Sequence, residues 1–241
     1  MNNILYLKQV IYENTQISEE FPFNLPTLRS LNELVFDTPV TFFIGENGIG
    51  KSTIIETIAA LMGLNMEGGS KNNLFSSYQE SYPLLEMCRP VRYPNHQKDS
   101  YFYRAESYFN LMTDIEENVP ELFDKSLHHY SRGESLSKLV STRFFGNGFY
   151  ILDEPETGLS LSTQLSLMLM IEGLVQKNSQ FIIATHSPIL LFFPDAKIYE
   201  FSDSGICETK REETKVYQEW KMIFDREEAF FDLLFQEEKN I

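Results

Sequence analysis

Cysteine is scarce: Cys88 and Cys207 are the two in 241 residues, far apart and in no metal-ligand spacing. That argues against a disulfide framework and fits two reduced thiols in a cytoplasmic protein. Cations are also short, with 20 Lys and Arg against 35 Asp and Glu, a net charge of −15 and a pI near 4.7. An acidic surface repels phosphate backbones, so composition opposes indiscriminate nucleic-acid binding. Arg89, Arg92, His96 and Lys98 beside Tyr93 form a modest basic patch, most simply read as solvated surface. Long apolar runs are missing too. Leu165–Val175 is broken by Glu172 and is too short to span a bilayer. The opening MNNILYLKQVIYENT lacks the basic start and apolar run of a secretory signal. There is no internal repeat and no low-complexity linker.

What remains is a chain 42% hydrophobic with 20 Phe and 12 Tyr, enough for a sizeable core. Strands are expected over 4–12 and 31–44, with Val40–Ile44 the most buried in character, and again at Tyr101–Ala105, Phe149–Leu152, Phe181–Ala184 and Ile198–Phe201. Helices are expected at Ser52–Leu64, Glu106–Lys125, Ser131–Phe145, Ser162–Lys177 and, as one amphipathic segment with Trp220, Phe224, Phe231 and Phe235 apolar, Val216–Gln236. Residues 74–100, with three prolines, carry little expected regular structure. Apolar strands alternating with helices predict an α/β fold with a largely parallel sheet.

Three segments carry chemistry. Gly45-Glu46-Asn47-Gly48-Ile49-Gly50-Lys51-Ser52 matches G-x-x-x-x-G-K-[ST], directly after an expected strand and before an expected helix. Glycines let several N–H groups curl toward phosphates, and the helix N-terminus adds positive potential. Lys51 suits the β/γ-phosphate oxygens, the Ser52 hydroxyl a magnesium ion, and Thr53 the α-phosphate. Phe149-Tyr150-Ile151-Leu152-Asp153-Glu154 ends an apolar strand in two acids. Strand C-termini face the ligand crevice of a parallel sheet, so Asp153 falls near the metal and Glu154 can polarise an attacking water. Phe181-Ile182-Ile183-Ala184-Thr185-His186 puts His186 at an equivalent strand end, where it can hydrogen-bond a γ-phosphate. His96, His128 and His129 read as surface residues.

In this order the segments resemble the ABC-type ATPases, and among them the SMC/RecF-like branch more than the transporters. GENGIGKST resembles that branch's phosphate loop, YILDEPETGLS its second acidic motif and dimer-contacting loop, and FIIATHSP its switch-histidine segment. Small bacterial AAA-family ATPases without a coiled-coil insertion are the nearest group, sharing segments like Tyr103–Asn110 and Ser131–Leu136. The resemblance implies a P-loop NTPase fold of ABC type, with a parallel central sheet, flanking helices, an N-terminal antiparallel β part and a small helical lobe. It implies one domain over 1–241, the signature lobe inserted at about 70–145 and a C-terminal helical segment at 206–241. It further implies ATP and Mg²⁺ as ligands and ATP hydrolysis.

It also implies a homodimer around two nucleotides, in which Ser131 and Gly133 of SRGES contact the γ-phosphate held by the opposite subunit. A helix N-cap at Ser131 is the other reading of that segment. Arg132 stands where the family carries its first glycine. No clear glutamine loop exists; Glu106 is the substitute, or simply an acid at a helix start. Tyr6, Tyr12, Phe21 and Phe23 are all candidates to stack on adenine. An unidentified partner protein and DNA are the partners implied, the latter unsupported by charge, and no membrane is implied.

Overall fold

The structure is a computed structural model and describes residues 4–13, 20–29, 31–66, 68–70, 83–105 and 132–237. Its core is set by strands that are buried on both faces. Val40–Gly45 (β3), Gly148–Asp153 (β7) and Gln180–Ala184 (β8) are buried almost throughout, as continuous apolar runs in a covered parallel sheet should be. With Gly69–Ser70 (β4), Asp99–Arg104 (β6), Lys197–Ser202 (β9) and Gly205–Thr209 (β10) they form one sheet, ordered β10-β9-β3-β8-β7-β6-β4. The strands from β9 to β6 are parallel; β10 and β4 run antiparallel at the edges. A second, antiparallel sheet is built from Leu7–Tyr12 (β1), Glu33–Val35 (β2) and Cys88–Arg92 (β5), ordered β2-β1-β5.

Side chains alternate between faces along each strand, so the large sheet separates two cores. Phe42, Leu152 and Ile183 point to one, where Arg132–Arg143 (α4) and Leu161–Val175 (α5) bury Leu136, Leu139, Leu167 and Ile171. Phe43, Ile151 and Ile182 point to the other, where Lys51–Leu61 (α2) buries Ile54, Ile55 and Ile58 between the two sheets. Ser160 caps α5, its hydroxyl accepting from Thr163 N–H at 3.3 Å. Buried polar clips fix the small sheet to the large one. Gln180 Oε1 accepts from Tyr6 N and Leu7 N at 2.8 and 2.9 Å, and its Nε2 donates to Leu7 O at 2.8 Å. Tyr199 OH donates to Val35 O at 3.0 Å and accepts from Val35 N at 2.9 Å.

Short helices at Pro26–Arg29 (α1) and Pro83–Met87 (α3) complete the described body, with Lys215–Asp225 (α6) and Glu227–Glu237 (α7) at its end. Several expectations need correcting. Residues 88–92 form a strand despite Pro90, because β5 is an edge strand and an edge tolerates a missing N–H. The short strand β10 was not expected at all. The single C-terminal helix is two, broken at Arg226, whose φ of −143° and ψ of 48° leave the helical region. Its apolar residues are not core: Trp220, Phe224, Phe231 and Phe235 are exposed. Within 70–145, the described stretches after Ser70 give α3, strands of both sheets and α4; the expected helix Glu106–Lys125 lies outside the described residues. No helix among the described residues is long and apolar enough to cross a membrane.

Candidate active site

The tips of β3, β8 and β7, three neighbouring parallel strands, bring the sequence-predicted residues to one edge of the sheet. β3 runs into the loop that leads to α2. Gly45, Gly48 and Gly50 have φ of 143°, 76° and 104°, a region glycine enters without strain. At Gly45 space also matters, since a Cβ would stand 2.4 Å from the carbonyl oxygen of Phe201. Gly50 is the N-cap of α2 with no side-chain cap, which leaves the first-turn N–H groups of the helix to a ligand. Thr27 Oγ1 donates to Ile49 O at 3.0 Å, tying the loop to α1. Lys51 is buried; its Nζ donates to Gly45 O and Glu46 O at 2.9 and 2.8 Å. Desolvation lowers its pKa, opposed by Glu154, Asp153 and Glu156 nearby, so those acids are its electrostatic neighbours.

Asp153, the last residue of β7, is buried, and burial pushes its carboxyl up to about 6 against the pull of Arg104 and a Ser52 hydrogen bond. Its Oδ1 has no hydrogen-bond partner among the described residues. A buried carboxylate oxygen left over beside a serine hydroxyl is a donor set that fits a hard cation such as Mg²⁺. Ser52 and Thr53 open α2 and are half-buried, within reach of a ligand at the loop. Glu154 leaves the strand with φ 51°, its N–H donating to Ala184 O at 3.0 Å. That turn aims its carboxylate across to His186, with Nε2 and Oε1 3.5 Å apart. Burial first, then the charge of Lys51, lowers the His186 pKa, so the imidazole is neutral at pH 7. His186 N donates to Glu156 Oε1 at 2.6 Å. A cavity of about 770 Å³ adjoins the loop, lined by Gly45, Glu46, Ile49, His186, Phe201 and Lys215 among others.

The arrangement therefore gathers Lys51, Ser52, Asp153, Glu154 and His186. Gly133 is elsewhere. It is the second residue of α4, and a Cβ there would stand 2.7 Å from Thr163 Cγ2 on α5, so close helix packing by itself favours a glycine. Ser131 and Glu106 lie outside the described residues. Of the aromatic candidates for adenine, Tyr6 and Tyr12 are excluded, because both rings are sealed into the core around α2. Phe23 packs partly against that core and Phe21 is exposed. Sequence reasoning missed three contributors. Arg104 faces Asp153 from β6, Glu156 orients the His186 backbone, and Lys215 at the start of α6 pairs with Glu46 of the loop. Glu156 had a signal, a third acid in Asp-Glu-Pro-Glu; Arg104 and Lys215 had none, because only the tertiary fold makes them neighbours.

A family model described as an AAA domain matches residues 23–241. The chain is 22% identical over 201 residues to a Clostridium tetani protein whose name describes an ABC transporter ATP-binding protein, covering 76% of this chain and 45% of that one. A protein of the same name from Sulfurisphaera tokodaii is 22% identical over 212 residues, covering 78% and 42%. The chain thus spans less than half the length of these curated relatives. Among solved structures it is similar in fold to cbiO1 of Clostridium perfringens, described as part of the ABC transporter complex cbiONQ. The TM-score is 0.51 and the identity 17%, over 97% of this chain and 99% of that one. With the phosphate loop on β3, the acidic tip on β7 and an α/β P-loop fold of ABC-ATPase type around them, the chain belongs to the AAA_23 family of AAA domains.

Proposed function

We propose that this protein binds Mg-ATP at the Gly45–Thr53 loop and hydrolyses it to ADP and phosphate. One observation carries the reading: Lys51, Asp153, Glu154 and His186 converge at the tips of adjacent parallel strands, around a helix N-terminus without a side-chain cap. The loop amides of 45–51 and the Lys51 ammonium hold the β- and γ-phosphates. Ser52 and Asp153 would hold the magnesium, which supplies charge neutralisation at the phosphate oxygens. Glu154 accepts a proton from the attacking water as the water oxygen bonds to the γ-phosphorus and the bond to the β–γ bridging oxygen breaks. His186, neutral and beside Glu154, hydrogen-bonds the γ-phosphate.

Two copies closing around two nucleotides is the assembly that suits Gly133. Its helix α4 packs on one face of the large sheet while α2, with Lys51, packs on the other. A second copy can bring the N-terminal end of α4 to the phosphate held by the first. Closing and opening would pass the nucleotide state to a partner protein; the charge of −15 weighs against DNA in that role. The test is Mg-dependent phosphate release by the wild type and by Glu154→Gln, with bound nucleotide measured in parallel. Nucleotide binding without a difference in release between the two proteins would refute hydrolysis by Glu154.

A second reading, the nucleotide-binding subunit of a transporter, is favoured by the names of the two curated relatives. The SRGES segment and the lack of a clear glutamine loop weigh against it. Co-purification with an integral membrane protein would favour it; a chain that purifies alone and turns over ATP would not.

A further inference from the structure

Arg104 is the last residue of β6, and its side chain is only 16% exposed. A cation so far out of water is costly unless it is paired and hydrogen-bonded. Here the pairing is divided. Nη1 lies 2.8 Å from Glu56 Oε1 on α2 and donates to Met66 O at 3.2 Å. Nε lies 3.8 Å from Asp153 Oδ2. Strand register places the pair, since Arg104 stands directly opposite Asp153 in the parallel β6–β7 ladder.

The consequence falls on Asp153. Its Oδ2 faces a guanidinium that is itself anchored to α2, while Oδ1 has no hydrogen-bond partner among the described residues. The terminal torsion of an aspartate is broad and lets its oxygens exchange; a cation fixed 3.8 Å from one of them, an ion-pair contact longer than a hydrogen bond, biases that choice. The contacts also lead back to α2. α2 reaches Asp153 through Glu56 and Arg104, and the same helix carries Ser52 beside that carboxylate, next to Lys51.

The geometry points to Arg104 as a positioning residue that holds the Asp153 carboxylate toward helix α2 by one oxygen and leaves the other for the cation of Mg-ATP. The inference rests on the proposed assignment of Ser52 and Asp153 to magnesium. It is distinct from a strut between β6 and α2, which would support the fold without regard to metal. Groups that orient a metal ligand from behind typically change metal affinity or activity about 10–100-fold when removed.

The experiment measures the affinity of a fluorescent ATP analogue in magnesium and in EDTA, for the wild type and Arg104→Met, with thermal unfolding recorded for each. In EDTA the variant should bind within about threefold of the wild type, while its magnesium-dependent gain falls at least about tenfold. Arg104→Lys, which keeps the charge and loses the fork, should fall between. An unchanged gain, or an equal loss in both buffers, overturns the inference. Should Arg104→Met fail to fold, Glu56→Gln removes the anchor and leaves the cation. It should lower the magnesium gain by about tenfold, the low end of the range for outer partners of a metal ligand, and no change there overturns the inference as well. A wild type that binds the analogue in neither buffer, or equally in both, refutes the metal and nucleotide assignment itself, a failure separate from that of Arg104.

Discussion

Asp153 and Glu154 are consecutive residues at the tip of one strand, and the fold treats them in opposite ways. The Asp153 side chain is 9% exposed, lies between a guanidinium and a serine hydroxyl, and has its carboxyl pushed up to about 6. Glu154 is 39% exposed, sits on left-handed backbone, and looks across 3.5 Å to a neutral imidazole. One half of the site is dry and cross-braced, suited to holding a cation in one place. The other half is open and lightly held, suited to meeting water and handing off a proton. A strand tip makes this division simple, because the last residue in the ladder keeps its strand orientation and the next is free to turn.

The sharpest way to break that contrast is at the open half. Glu154→Gln preserves shape and removes the proton acceptor, so phosphate release should fall about 10³-fold, roughly 4 kcal/mol in the barrier, with nucleotide binding retained. Release within a few-fold of the wild type would mean that the open carboxylate is not the base.

The dry half is tested by stability and not by rate. Asp153 has its folded pKa raised from 3.8 to about 6, so the folded state holds that proton more tightly than the unfolded state. Stability is therefore lost as pH rises between those two values, and above about 6 the full penalty applies. The shift corresponds to about 3 kcal/mol. Without metal or nucleotide, Asp153→Asn should be more stable than the wild type at pH 7 by up to about 3 kcal/mol, and the gap should vanish below the ordinary carboxylate range. Denaturant unfolding at several pH values measures it; a gap that does not depend on pH would show that the charge is not strained by burial. The same variant should lose its magnesium-dependent gain in nucleotide affinity.

His186 stands between the halves, and the expected effect is smaller. His186→Ala should slow turnover about tenfold, a loss of roughly 1.4 kcal/mol of transition-state stabilisation, with little change in KM. A loss confined to KM would make it a binding group and no more.

Much of this was legible in the chain because the signals are local. A glycine loop, an apolar run and the residue that ends it are consecutive, so Gly45–Thr53, Asp153 with Glu154, and His186 announce themselves, as do the strands that carry them. What was not legible depends on which strands are neighbours. Arg104 is one more charge after an apolar stretch until β6 is laid beside β7, and Lys215 means nothing until α6 is set against the loop. Tyr6 and Tyr12 look like aromatic faces for a base until α2 closes over them. Pro90 hid a strand because proline is read as a breaker without knowing that the strand is an edge.

The exposure of the C-terminal helices was not legible for a related reason. Periodicity shows that α6 has an apolar stripe; it cannot show whether anything covers it. In the fold Phe224 is 75% exposed and no residue of α6 is buried. Side chains contribute to stability in proportion to the apolar area they remove from water, and Phe224 removes little. Phe224→Ser should therefore change the unfolding free energy of the dilute protein by less than about 0.5 kcal/mol, the smallest effect of the set. Leu167→Ala on α5, where the side chain is fully enclosed, should cost about 2–5 kcal/mol by contrast. If Phe224→Ser instead approaches the cost of Leu167→Ala, the stripe is covered in solution, and concentration dependence of that cost would show that the cover is a second copy of the chain.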